Sequence, residues 1–336
     1  MKSMATSNNK LLSAHLGMLV CALIVGLSFP AVGLLSDGLP PLLLTSLRFL
    51  IAALALLPLL LAQPERWPGL PGLALYALMG LSLAGFFGTM FWAAHRSTAL
   101  SMATIYVSVP LLAYFLGRLI GVERRAGSLM ALLALGAAGA LGLALAQAGG
   151  QLDALQFGSG EIAFLIGCFA SASYPVLSKW GLQRGWLSEQ AAFRSFWSLL
   201  AGSVLVAVLG FISESPQQLL RMTASDVALL VYLGVFSSGV TFWLMQRATA
   251  VLTPGAVTAY SYLTPFASML LLFVTEPQHI GWHWLPGSLL VLLTIALLLR
   301  RDAVAQPASP IAVVTGPLRP VRQVSCGALP RALSSH

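Results

Sequence analysis

Long runs of apolar residues, separated by short polar breaks, follow one another along most of the chain, and they are too continuous to be the one-sided stripes of soluble helices. A helix needs about 20 apolar residues to cross a bilayer. On that length ten spans are predicted, near 14–35, 40–62, 71–92, 98–119, 128–147, 159–178, 189–211, 226–246, 254–274 and 284–299. The breaks leave no room for a soluble domain that could hold an active site. The first span exceeds a secretory h-region and runs into the second without a convincing small-residue cleavage site, so a retained helix is expected.

Composition agrees: 58% of residues are hydrophobic and 8% charged, against about 25% charged in soluble domains. The fold class expected is all-α integral membrane. A net charge of +8 could suggest nucleic acid, but its distribution follows the excess of Lys and Arg on cytoplasmic loops. With the N-terminus in the cytoplasm, the 18 Lys and Arg residues fall on that side, except for Arg96 and Arg221 outside and Arg48 and Arg194 in the membrane. Both termini are therefore expected in the cytoplasm, and no nucleic-acid partner is expected. Residues 1–13 read as an N-terminal tail, and 301–336, rich in Pro, Ser, Ala and Arg, as a disordered one.

The pattern is written twice. Ser28-Phe29-Pro30 in span one is answered by Ser173-Tyr174-Pro175 in span six, and Arg48-Phe49 in span two by Arg194-Ser195-Phe196 in span seven. Gly88-Thr89-Met90-Phe91-Trp92 is answered by Gly239-Val240-Thr241-Phe242-Trp243, Pro110 by Pro265, and Glu123 by Glu276. The order is kept, so duplication is the simplest explanation: one unit over 14–148 and another over 159–300. Five spans per unit is an odd number, so the second unit must enter the membrane upside down. The expected architecture is ten transmembrane helices as two inverted-topology five-helix repeats, typical of secondary transporters.

With these residues in place the chain resembles the drug/metabolite transporter superfamily of the EamA type, with two EamA-like repeats over roughly residues 15–300. The resemblance is carried by Leu47-Arg48-Phe49, by Ala99 to Pro110 with Gly121-Val122-Glu123-Arg124, and by Ala248 to Pro265 with Thr275-Glu276-Pro277. Span one departs from it, reading Gly26-Leu27-Ser28-Phe29 where a Trp-Gly or Trp-Ser pair is common. The resemblance implies a substrate cavity between the repeats near the midplane, alternating access and, from the resemblance alone, export.

An ionisable side chain within a span is costly and by default points to function. Arg48, about 12 Å into span two at 1.5 Å per residue, and Arg194, near the start of span seven, are candidate binders of an anionic group. The alternative is a hydrogen bond to carbonyls freed near a kink. Phe29, Trp92, Tyr106, Tyr174, Trp243, Tyr260 and Tyr262 could wall such a pocket, although some would serve as interfacial anchors. Pro30, Pro110, Pro175 and Pro265 each remove a backbone hydrogen bond and read either as hinges or as static kinks. Gly136, Gly139 and Gly142 fall near one helix face and read as packing positions.

Absences narrow the mechanism. There is no phosphate-binding loop, so ATP hydrolysis does not drive the protein; transport is passive or ion-coupled, with proton coupling left open and Glu161 its weak candidate. Cys21, Cys168 and Cys326 have no metal-ligand spacing, and no cofactor or metal is expected. His15, His95, His279 and His283 fall in different regions, which argues against a membrane-embedded enzyme. The expected function is a secondary exporter of small organic metabolites, such as amino acids or related amphipathic compounds, acting as a monomer or homodimer. The alternative is a non-transporting membrane component or scramblase.

Overall fold

The computed structural model describes residues 2–63, 67–123, 125–150, 155, 157–275 and 281–304. Arg66, Arg124, Glu276, Pro277, His279 and residues 305–336, with Cys326, lie outside the described residues, as does the side chain of Phe29; of the tail expected over 301–336, positions 301–304 are helical and end α13 (Leu285–Val304).

The first unit holds α1 (Lys2–Gly33), α2 (Pro41–Leu61), α3 (Leu70–Ala94), α4 (Ala99–Tyr106), α5 (Val109–Ile120) and α6 (Gly127–Gln147). The second holds α7 (Ser159–Gln183), α8 (Ala191–Ser213), α9 (Ala224–Tyr232), a π-helical segment (Leu233–Val240), α10 (Thr241–Val251), α11 (Pro254–Ala259), a 3-10 turn (Tyr260–Tyr262), α12 (Leu263–Thr275) and α13 (Leu285–Val304). Positions 2–13, read from sequence as a tail, are helical and extend α1.

Among the described residues nine helices are long and apolar enough to cross a membrane, with α4 and α5 joined in one and α9 to α10 in another. The predicted span over 254–274 is divided: α11 is closed off by the 3-10 turn and only then resumed by the 13 residues of α12. Its counterpart is divided too, between Tyr106 and Val109. Pro110 and Pro265 explain both breaks. Each sits in the first turn of the resumed helix, where a missing N–H costs nothing and the fixed φ suits the start. Pro30 and Pro175 instead lie inside the unbroken helices α1 and α7.

The helices pack as two units related by exchange. α3 lies along α7 as α10 lies along α1, and α5 meets α7 as α12 meets α1; α2 with α8 and α6 with α13 are the pairs in which each unit meets its own counterpart. The α2–α8 pair is antiparallel, since Leu43 lies at Gly210 and Phe49 at Gly202. Between them Ser46 Oγ donates to the Ser203 carbonyl and Ser203 Oγ to that of Ser46, both at 2.9 Å. With no water in a bilayer core to reward exposed polar groups, such close small-residue contacts and hydrogen bonds hold helices together.

Carboxylates tie the units at both ends of the bundle. Glu214, just beyond α8, accepts from the free N–H groups of Leu42 (2.7 Å) and Leu43 (2.9 Å) in the first turn of α2. Asp226 accepts from the N–H and the hydroxyl of Ser36, each at 2.9 Å. At the other end buried Glu123 accepts from the Gly255 N–H at 3.2 Å. Burial holds the Glu123 carboxyl above the usual carboxylate range, against the opposing hydrogen bonds from Thr253 and Gly255 and the nearby charge of Arg301.

Candidate functional site: a cavity between the repeats

A cavity of about 570 Å³ opens at the bundle end that carries Lys10, Glu189 and Arg247. Its walls come from both units. α1 contributes Lys10, Ser13, Ala14 and Gly17, and the end of α2 contributes Leu59 and Gln63; opposite them stand Glu189 to Ala192 at the start of α8, and Trp243, Leu244 and Arg247 on α10. The size falls within the range of about 300–1,000 Å³ found for small-molecule sites. Among the described residues Trp243 is the one aromatic side chain in its lining, and the Arg247 guanidinium lies 5.0 Å from the centre of its ring. Lys10, Arg247 and Glu189 make the mouth polar with a positive balance.

Arg194 stands in the cavity wall with its side chain fully buried. Its guanidinium is held by acceptors: Nε donates to Gln246 Oε1 (2.9 Å), one terminal nitrogen to the Ser188 carbonyl (2.6 Å) and the other to the Gln246 carbonyl (2.5 Å). Among the described residues no carboxylate lies within ion-pair distance of it. The network continues outward. Ser178 Oγ donates to Gln246 Oε1 (2.6 Å), Gln246 Nε2 donates to the Tyr174 hydroxyl (3.0 Å), and that hydroxyl lies 2.7 Å from Ser198 Oγ. One arginine thereby ties α8 to α7 and α10, and α8 and α10 form the second unit's side of the cavity.

Arg48 is half-buried and does not line the cavity. Its Nε donates to Ser238 Oγ (2.6 Å), and a terminal nitrogen donates to the Ser237 hydroxyl (2.9 Å) and carbonyl (3.2 Å). Both serines lie in the π-helical segment, a rare wider turn that occurs often at functional positions. Arg48 therefore pins the first unit to the one irregular stretch of the predicted eighth span.

The aromatic candidates are dispersed. Trp243 lines the cavity, and Tyr174 sits behind Arg194, edge-on to Phe242 at 5.4 Å. Tyr106 is half-buried against Phe86 at 6.0 Å. Trp92 is 43% exposed beneath Arg96, whose guanidinium lies 4.1 Å from its ring centre. Tyr260 and Tyr262 are buried; the ring of Tyr262 covers Gly136, and the Tyr260 hydroxyl lies 2.6 Å from His15 Nδ1. Cys21 and Cys168 are buried free thiols, and no group among the described residues is arranged to hold a metal ion.

A family model described as the EamA-like transporter family matches residues 12–145 and again 158–300. The chain belongs to that family. The two matched stretches put one copy on each side of the cavity, so its walls are contributed by both EamA units. The chain is similar to a curated Escherichia coli K12 protein named "Uncharacterized inner membrane transporter YedA", 27% identical over 238 residues, which is 70% of this chain and 74% of the relative. The O157:H7 counterpart matches at the same level. A solved crystal structure titled only "Crystal structure of protein" superposes with a TM-score of 0.70 at 20% identity, over 87% of this chain and 98% of the other, and shows the same fold. This EamA protein is a membrane transporter with a small-molecule substrate.

Gln246, Ser178, Lys10 and Arg247 are the site residues that sequence reasoning did not single out. Gln246 carried a usable signal, because an uncharged polar side chain within an apolar span raises the same question as an arginine does. Lys10 and Arg247 were read only as orientation signals.

Proposed function

We propose that the protein is a secondary transporter that works by alternating access and exports small organic metabolites carrying an anionic group, such as amino acids or related amphipathic compounds. The observation that carries the reading is the cavity itself: it lies between the two EamA units, combines the Trp243 face with the cationic ends of Lys10 and Arg247, and is bounded by the Arg194 network. An aromatic face fixes an apolar body, and the two cations favour a carboxylate. The relative named as an inner membrane transporter supports the same location here, and the spread of Lys and Arg supports termini in the cytoplasm, which makes the cavity inward-open. The Glu214 and Asp226 bonds then close the outer end.

Counterflow in proteoliposomes across a panel of amino acids, organic acids and cationic drugs tests this. Saturable exchange of a carboxylate-bearing compound is expected, with KM raised about tenfold or more in Trp243→Ala, the loss of roughly 1.4 kcal/mol of binding. Exchange restricted to cationic drugs would reject the anionic-substrate reading.

A further inference from the structure

His15, Tyr260 and Asp302, three side chains that the transport reading does not use, meet inside the bundle from α1, the 3-10 turn and α13. His15 is 2% exposed. Its Nδ1 lies 2.6 Å from the Tyr260 hydroxyl, and its Nε2 lies 3.5 Å from Asp302 Oδ2. Nε2 is buried and has no hydrogen-bond partner. A buried polar nitrogen left unpaired carries the cost of its lost hydration, and this one is aimed at a carboxylate.

Protonation resolves that arrangement. The neutral ring carries one N–H and so can donate to Tyr260 or toward Asp302, but not to both. When the ring takes a second proton from water, it becomes an imidazolium that donates at both nitrogens, to Tyr260 on one side and to Asp302 on the other. The Asp302 side chain is 14% exposed, which gives the proton a route from solvent, and Arg301 Nη1 lies 3.3 Å from its other oxygen. Of the other elements packed against α1, the π-helical segment and α12 contain no titratable residue, Arg247 of α10 is turned onto Trp243 at the cavity, and Arg300 of α13 is exposed.

The location links the proton to transport. Ser13, Ala14 and Gly17, on either side of His15 in sequence, line the cavity, while His15 itself points to the 3-10 turn that divides the predicted ninth span. We infer that His15, with Tyr260 and Asp302, is the proton-binding site of this transporter, and that protonation there locks α1 to the α12–α13 side of the second repeat and so couples a proton to the cycle. The inference rests on the transport reading of the same helix. A histidine suits the task because its charge changes in the physiological range of pH.

The test uses protons alone. Protein in liposomes on a solid-supported membrane is given a pH jump without substrate, and the transient charge movement is recorded for wild type, His15→Gln and Asp302→Asn. Wild type is expected to give a transient that falls about fivefold or more in His15→Gln. In Asp302→Asn the bound proton loses its counter-charge, so half-maximal charge movement shifts to lower pH by about one unit, a tenfold weaker proton affinity. No transient in wild type, a full transient in His15→Gln, or an unmoved midpoint in Asp302→Asn would each overturn the proposal. Counterflow needs no net proton movement, so substrate exchange in the same liposomes reports separately on the transport reading.

Discussion

Arg194→Ala is expected to lower the thermal stability of the detergent-solubilised protein by about 2–4 kcal/mol and to abolish transport with it. The side chain is fully buried and donates to three oxygens, two of them on Gln246 and one on Ser188. Truncation leaves those acceptors behind in a dry interior. Hydrogen bonds in membrane interiors average about 0.6 kcal/mol by double-mutant cycles, whereas those from charged donors reach about 1.5–3 kcal/mol; three charged bonds therefore exceed the loss of any one neutral contact nearby. Arg194→Lys is expected to recover less than half of the loss, because an ammonium on a flexible stem lacks the planar fork that reaches all three acceptors. An unfolding midpoint for Arg194→Ala equal to wild type would show that the network contributes nothing.

Gly80→Ala is the second large effect, and Gly88→Ala on the same helix is its control. A Cβ at Gly80 would lie 2.7 Å from Ala201 Cβ and 2.8 Å from both Ala201 C and Gly202 N. Most of that obstacle is backbone of α8, which no rotamer change removes, so α3 and α8 must separate. Overpacking of this kind costs about 1–3 kcal/mol. At Gly88 the nearest atom is the flexible Cδ1 of Leu209 at 3.4 Å, an ordinary contact, and no measurable loss is expected. Thermal unfolding of the two variants side by side decides the matter: equal midpoints would mean that the α3–α8 interface is looser than this packing.

The helical membrane architecture was legible because its signals are local. The apolar runs set the spans, and Pro110 and Pro265 broke their helices near where each proline falls. What escaped was produced by distance along the chain. Nothing near Arg194 announces Gln246, which reaches it only after α8, α9 and the π-helical segment have turned back. His15 was set aside because the other histidines lie elsewhere, yet its partners are a tyrosine from the 3-10 turn before α12 and an aspartate from α13. The two arginines looked alike in sequence as lone charges in apolar runs. The structure separates them by what their partners are: Arg48 meets serines of the π-helical segment at half burial, and Arg194 meets carbonyls and an amide in full burial. The aromatic residues were the least legible, since a membrane span uses the same rings for packing, for anchoring and for ligands.

Counterflow in Ser13→Trp most directly tests the claim that the cavity between the two EamA units carries the substrate. Ser13 is exposed on α1, lines the cavity and is not among the hydrogen-bonded residues of the Arg194 network, so an indole there fills the space without removing one of that network's bonds. With the compound that exchanges best in wild type, the account predicts a loss of exchange of about tenfold or more, roughly 1.4 kcal/mol or greater, at an unchanged unfolding midpoint. Exchange at the wild-type rate in a folded Ser13→Trp protein would contradict it and place the substrate route elsewhere in the bundle.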